Sequence, residues 1–200
     1  MSVVNIKKRT HERQLKAWAD DIAHEPYLRG IEKSECAAPL IAELAGGLDS
    51  SILELGCNVG RNLEYLRVAG YTNLAGIEIS PRARALREEH YPDLEIEYYE
   101  GSIEERILDC GTFDVVFSMA VLQHIHPDSD WIFAEIARVA QRGIVTIEDE
   151  VRDTKSLWPR NYGTIFTSLG YTEIRAANCK RVKGLRRKHY VARQFVKSGP

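Results

Sequence analysis

The chain has 200 residues, 44% of them hydrophobic, and a formal net charge of −2. That is one domain of ordinary size with enough apolar content for a packed core, which excludes a disordered chain, and charged residues interrupt every apolar run, which excludes a membrane-spanning helix and a membrane partner. The four cysteines, Cys36, Cys57, Cys110 and Cys179, form no C-x-x-C pair and residues 1–14 hold no apolar stretch of the secretory kind, so no disulfide framework or zinc site is expected and a reduced, cytoplasmic protein is.

Residues 11–23 carry Leu15, Trp18, Ala19 and Ile22 at helical spacing, and Pro26 closes the pattern. A second helix is expected over residues 34–45, with Ala37, Leu40, Ile41 and Leu44 as its apolar face and Gly46-Gly47 as its stop. Residues 1–47 therefore read as a helical segment of the same domain as residues 48–200.

The most informative stretch follows. Ile52-Leu53-Glu54-Leu55 is a short apolar run ending in an acid, and Gly56-Cys57-Asn58-Val59-Gly60 leads into a new helical pattern at Arg61-Asn62. Such a strand–glycine loop–helix junction brings backbone close to a ligand and aims free N–H groups at it. Its spacing, E-x-G-x-x-x-G, differs from the G-x-G-x-x-G of a dinucleotide site, which disfavours a nicotinamide-dependent oxidoreductase. Two glycines at a turn can also serve the turn alone. Residues 74–79 form the next strand, with Glu78 at its carboxyl end, 18 residues after Gly60. There a carboxylate can accept two hydrogen bonds from a ribose diol, or simply stand as a solvated acid. Ser80 then caps a helix that begins with Pro81.

Residues 94–99 alternate as a third strand and run into Glu100-Gly101-Ser102-Ile103. Residues 113–118 are a buried fourth strand, followed by Met119-Ala120-Val121-Leu122-Gln123-His124-Ile125, and residues 143–147 are a fifth that ends in Glu148-Asp149-Glu150. Strand and helix alternating from 51 to about 150 means a parallel sheet with right-handed crossovers. After 150 the pattern becomes a short helix over 161–169 and two strands, 171–179 and 188–196, joined only by a basic loop; that reads as an antiparallel hairpin. The fold class is thus α/β: a doubly wound, mostly parallel sheet closed by a C-terminal antiparallel hairpin, with N-terminal helices. Charge is unevenly spread along it. From Asp93 to Asp114 there are eight acids and one base, whereas Ile174 to Pro200 holds nine Lys or Arg and no acid.

The glycine loop, Glu78 and the Leu122-Gln123-His124-Ile125 segment together resemble the class I S-adenosylmethionine-dependent methyltransferases, over about residues 48–196. The resemblance implies S-adenosylmethionine as cofactor, held by Glu54, Gly56, Cys57, Asn58, Gly60 and Asn62 of the loop. It further implies Glu78 and Ile79 at the ribose, Ser102 and Ile103 at the adenine, and Ser118 and Met119 after the fourth strand. Ser102 stands where the family usually has Asp. The resemblance also implies substrate walls: the N-terminal segment, with Trp18 and Tyr27, as a lid; His126 in the loop before Pro127; and Tyr162, with Trp158 and Asn161, after the fifth strand. Trp18 lies on an apolar stripe and fits a core position equally well.

Methyl transfer from a sulfonium is an in-line displacement in which orientation alone can supply roughly 7–11 kcal/mol. A general base adds about 10²–10⁴-fold where the nucleophile carries a proton. His124 is the candidate base by position; its alternative is a histidine that packs or caps a helix start. The reading that follows is an enzyme methylating O, N or C of a small metabolite, such as a natural-product or sugar-like intermediate. An RNA methyltransferase that clamps phosphates with the basic hairpin is the alternative partner class, and a cofactor-binding protein without turnover is the non-enzymatic one.

Overall fold

The structure, a computed structural model, describes residues 7–20, 25–185 and 189–199. Among the described residues two N-terminal helices, α1 (His11–Ala19) and α2 (Ile31–Leu44), precede the sheet, and the 3₁₀ turn Glu25–Leu28 lies between them. Residues 21–23, the end of the expected first helix, lie outside the described residues. The alternating part then runs β1 (Ser51–Leu55), α3 (Arg61–Val68), β2 (Asn73–Glu78), α4 (Pro81–His90), β3 (Glu97–Glu100), α5 (Ile103–Arg106), β4 (Phe113–Met119), α6 (Ile132–Val139) and β5 (Ala140–Asp149). Helix α7 (Tyr162–Ser168) and strands β6 (Tyr171–Asn178) and β7 (Tyr190–Lys197) complete it.

The seven strands lie in the order β3-β2-β1-β4-β5-β7-β6. All neighbours from β3 to β5 are parallel, and β7 is antiparallel to both β5 and β6. Local chemistry sets the helix starts. The side chains of Thr10, Ser80 and Asn161 accept from Arg13 N, Ala83 N and Thr164 N, and Pro81 occupies the first position of α4.

Strand alternation sorts the core into two layers. Ile52, Val115, Phe117, Val145 and Ile147 face a cluster that holds Ile41, Leu44, Leu63 and Leu66 of α2 and α3. Leu53, Leu55, Val116 and Ile144 face Ile132, Phe133, Ile136 and Phe166 of α6 and α7. Each such buried aliphatic or aromatic side chain contributes about 1.5–3 kcal/mol relative to exposure. These two layers fix the carboxyl ends of β1, β2 and β4 side by side.

Three boundaries differ from the sequence reading. Strand β3 begins at Glu97, where pairing with Ala75 starts, and Leu94 is buried in the preceding turn. Helix α2 begins at Ile31, after Gly30 in a left-handed conformation (φ 89°). Strand β5 runs on through Glu148 and Asp149, because β7 pairs with it as far as Asp149↔Tyr190. All four cysteines are free thiols. Among the described residues no helix is long and apolar enough to cross a membrane.

Candidate active site

A cavity of about 320 Å³ opens at the carboxyl ends of β1, β2 and β4. Its floor is the glycine loop. Gly56 (φ 68°) leaves β1 so close to the loop after β4 that an added Cβ would stand 2.7 Å from Val121 Cγ2. No side chain fits there, and the backbone is left bare toward the cavity. Asn58 follows, also with positive φ (49°).

Glu78 holds this loop in place. Its Oε2 accepts from the amide of Asn58 at 2.8 Å and its Oε1 from the amide of Ser80 at 2.8 Å. Glu78 is buried, not solvated, and it lines the cavity at the carboxyl end of β2.

Glu54 is buried at the end of β1. Its Oε1 accepts from Asn62 Nδ2 at 2.7 Å, while Oε2 has no partner among the described residues. Burial pushes its carboxyl up to about 8, partly opposed by Asn62 and by the nearby Arg61 charge. Arg61 is itself nearly sealed off. It donates to Ser34 Oγ (3.2 Å), to the carbonyls of Tyr27 (2.9 Å) and Arg29 (3.1 Å), and to Asn62 Oδ1 (3.1 Å). Lys33 of α2 lines the same corner, and burial beside the Arg61 charge lowers its pKa. An unsatisfied buried acid, a bare glycine loop and two cations in one cavity suit a zwitterionic amino-acid group next to a sugar. This is the donor set that the methionine and ribose parts of S-adenosylmethionine require.

Ser102 and Ile103 line the next wall. The Ser102 hydroxyl accepts from Glu105 N, and Glu105 Oε2 accepts from Ser102 N, so the side chain closes a capping box on α5. Met119, Ala120 and Val121 line the opposite wall. Beneath them Glu148 ties the loop after β4 to β5. It accepts from Ser118 Oγ (2.5 Å), Val121 N (3.1 Å) and Gln123 N (3.3 Å), and burial raises its pKa to about 7.

Helix α1 covers the outer end with His11, Gln14, Leu15 and Trp18, and Tyr27 of the 3₁₀ turn joins them. Gln14 anchors the helix by donating to the His124 carbonyl at 3.2 Å, and Arg9 N donates to the Lys155 carbonyl at 2.9 Å. Gly184, Leu185 and Tyr190 of the hairpin close the side.

His124 lines this end but is committed within the protein. Its Nδ1 donates to the Ser156 carbonyl at 2.8 Å, and its Nε2 accepts from Gln123 Nε2 at 3.3 Å. Gln123 is oriented by the Asp149 amide, which donates to its Oε1 at 2.6 Å. Trp18 meets the ring edge-on at 4.5 Å, and burial lowers the imidazole to about 4. A neutral ring with both nitrogens engaged has no lone pair to offer an acceptor.

Fourteen of the residues singled out in the sequence line this one cavity: Glu54, Gly56, Cys57, Asn58, Asn62, Glu78, Ile79, Ser102, Ile103 and Met119, with Trp18, Tyr27, His124 and His126. Three do not. Gly60 (φ 74°) caps α3, and an added Cβ would press on Leu94 and Arg87 at 3.0–3.1 Å, so it serves the turn. Ser118 points to the other face of β4 from Met119, toward Glu148. Tyr162 is fully buried at the start of α7, 6.0 Å ring to ring from Phe133, and belongs to the core. The sequence reading missed His11, Gln14, Lys33, Arg61, Glu104 and Tyr190 as lining residues. Only Arg61, beside the second glycine, carried a local signal.

Residues 53–147 match the family described as a methyltransferase domain. The match covers just under half of the chain, and the fold is that of class I methyltransferases of known structure. A probable chloroplastic tocopherol O-methyltransferase of Oryza sativa subsp. japonica is 31% identical over 120 residues, 58% of this chain and 33% of that protein. The mitochondrial ubiquinone biosynthesis O-methyltransferase of Schizosaccharomyces pombe is 33% identical over 97 residues, 46% of this chain and 35% of that protein. The matched stretch thus spans about a third of the length of these curated relatives. Among solved structures, magnesium protoporphyrin IX methyltransferase from Synechocystis PCC 6803 with bound S-adenosylmethionine superposes with a TM-score of 0.66 at 18% identity, covering 94% of this chain and 90% of that one. The Burkholderia thailandensis 1,6-didemethyltoxoflavin-N1-methyltransferase gives 0.69 at 16% identity, covering 94% and 87%.

Proposed function

We propose that this protein transfers the methyl group of S-adenosylmethionine to an O, N or C nucleophile of a small metabolite. The observation that carries the reading is the placement of α1 on the cavity, which it lines with Gln14, Leu15 and Trp18. At about 320 Å³ the cavity has the size of a small-molecule site, and α1 lies across the end where an acceptor would enter. The named substrates of the similar proteins, a tocopherol, a ubiquinone precursor, a porphyrin and a toxoflavin precursor, are small molecules as well. The basic C-terminal stretch supports the same partner class. Arg175 pairs with Glu43, Lys183 with Glu32, and Arg193 with both Glu150 and Glu173, so three of its nine bases are paired with acids of the fold.

Bound S-adenosylmethionine supplies an activated methyl group. Glu54 would take its ammonium, Arg61 and Lys33 would balance its carboxylate, Glu78 would accept from its ribose, and Ser102 and Ile103 would stand at the adenine. The Glu148 clamp fixes the wall formed by Met119 to Val121. Trp18, Leu15 and Gln14 exclude water and hold the acceptor in line, where orientation contributes most of the catalysis. His124 stiffens the acceptor wall.

The test is a cell extract incubated with protein and methyl-labelled S-adenosylmethionine, separated into small-molecule and RNA fractions. Label in a small molecule is the expected result. Label confined to RNA would overturn the partner class, and binding without transfer to either would overturn the enzymatic reading.

A further inference from the structure

Gln123, His124 and Tyr190 line the cavity together, and one order of donors and acceptors satisfies all three. The backbone amide of Asp149 can only donate, so Gln123 Oε1, 2.6 Å away, accepts. The Ser156 carbonyl can only accept, so in the neutral ring His124 Nδ1, 2.8 Å away, carries the proton and Nε2 accepts. Both locks turn the Gln123 amide the same way. Its NH₂ group donates to His124 Nε2 at 3.3 Å and to Tyr190 Oη at 3.2 Å.

Tyr190 is left with a proton to place. Its Oη already accepts from Gln123, and its own O–H has no acceptor among the described residues. The residue is only 8% exposed, and a buried hydroxyl normally has a partner for its proton. Two acids stand near but are engaged elsewhere. Glu148 accepts from Ser118, Val121 and Gln123, and Asp149 from Val151 and Arg152. Burial, with the charges of these two acids, raises the Tyr190 pKa, so the hydroxyl keeps its proton. It is a donor on the cavity wall, not a base.

The sheet fixes which part of a ligand Tyr190 meets. The strands run in the order β3-β2-β1-β4-β5-β7. Ser102 follows β3, Glu78 ends β2 and Glu54 lies in β1, so the groups proposed for adenine, ribose and ammonium occupy the first three strands in turn. Tyr190 begins β7, opposite Asp149 at the end of β5. It thus stands three strands beyond β1, about 14 Å at the spacing of neighbouring strands. It packs in the same layer as Met119 and Leu185, which also line the cavity. The adenine side is the opposite end.

Resting on the methyl-transfer reading above, we infer that Tyr190 is a specificity residue whose hydroxyl donates a hydrogen bond to the methyl acceptor. The substrates it selects carry a lone-pair group beside the atom to be methylated: a carbonyl, a hydroxyl or phenol oxygen, or a ring nitrogen. A substrate that offers only an ammonium at that point is disfavoured, because Gln123 already occupies Tyr190 as an acceptor. Gln123 fixes the direction of the hydroxyl, and the Asp149 amide fixes Gln123.

Two measurements test this. The first needs no turnover: ¹⁵N–¹H long-range spectra of ¹⁵N-histidine-labelled protein, with His124 assigned through its backbone resonances. The expected state is the Nδ1–H tautomer. An Nε2–H tautomer would turn the Gln123 amide round, give the Tyr190 proton an acceptor in Gln123 Oε1, and overturn the proposal. The second repeats the extract labelling with Tyr190→Phe over a dilution series of extract, with S-adenosylhomocysteine affinity measured in parallel. The variant deletes one oxygen and keeps the ring in its layer. At limiting extract it should label the wild-type small-molecule product roughly 5- to 150-fold more slowly, the cost of leaving one buried acceptor unpaired. Cofactor affinity should stay within about twofold, so the loss falls on kcat/KM for the acceptor. Wild-type labelling at every dilution overturns the Tyr190 role. A loss of S-adenosylhomocysteine affinity in step with the rate also overturns it, because the hydroxyl then serves the cofactor. Either result leaves the methyl-transfer reading standing, whereas wild-type protein that labels nothing overturns that reading and the Tyr190 role with it.

Discussion

Glu54→Gln separates the cost of the buried acid from its use. In the free protein Glu54 Oε2 is buried without a partner, and burial holds the carboxyl at about 8 against an ordinary 4.5. The folded state therefore binds a proton that the unfolded state releases, throughout the window from 4.5 to about 8. Stability is fully present below 4.5 and is lost as pH rises through that window. At about 1.4 kcal/mol per pH unit, folding at pH 7 costs roughly 3 kcal/mol through this one group. Glutamine keeps the acceptor for Asn62 and removes the titration. The free variant should thus be more stable than wild type by up to about 3 kcal/mol at pH 7, and equal to it near pH 4. Cofactor binding should move the opposite way. Losing a charged hydrogen bond costs about 1.5–3 kcal/mol, or roughly 10- to 150-fold in Kd at pH 8. Calorimetry with S-adenosylhomocysteine in buffers of different ionisation enthalpy should also show a proton released on binding to wild type at pH 7 and none with the variant. Denaturant melts across pH and these titrations form one data set. A variant that is less stable at pH 7, or that binds cofactor as wild type does, would refute the reasoning.

Glu78→Ala removes the acceptor of two loop amides and the proposed ribose contact, so it should lower both stability and cofactor affinity, each by about 1–3 kcal/mol; Glu78→Gln should keep most of the stability, as read by thermal melts beside calorimetry. His124→Ala should lower stability by about 1–3 kcal/mol through the lost Ser156 and Gln123 bonds, while the wild-type pH–rate profile should show no limb from a ring that stays neutral above about 4; a neutral-pH limb abolished by this variant would restore His124 as the base. Cys36, drawn down to about 7 by a hydrogen bond with the Cys179 thiol, should alkylate ahead of Cys57, Cys110 and Cys179, all of which are raised. Timed iodoacetamide labelling with peptide mass spectrometry reads the order, and Cys179→Ser should slow Cys36.

The glycine-loop half of the cavity was legible because its signals are local. Glu54, Gly56 and Asn58 lie within one turn of chain, and Glu78 ends the next apolar run, so strand–loop–helix physics places them without tertiary knowledge. The half covered by α1 was not. His11 meets Glu104 and Ser129 across more than 90 residues of sequence, and Lys33 reaches the glycine loop only because α2 packs on the sheet. Position after a strand also misled twice. Ser118 and Tyr162 stand where site residues commonly occur, but strand alternation turns Ser118 toward Glu148 and core packing takes Tyr162. His124 was found by position, and its hydrogen bonds decided what it does. The length of β5 depended on its antiparallel partner β7, a pairing no local pattern displays.

The central claim is that the glycine-loop cavity seats S-adenosylmethionine with its reactive end toward the space covered by α1. A crystal structure with S-adenosylhomocysteine tests it most directly. The account predicts the ammonium at Glu54, the ribose hydroxyls at Glu78, and the sulfur facing the end lined by His11, Trp18 and His124. A ligand bound with its adenine at Glu54, or seated outside this cavity, would contradict it.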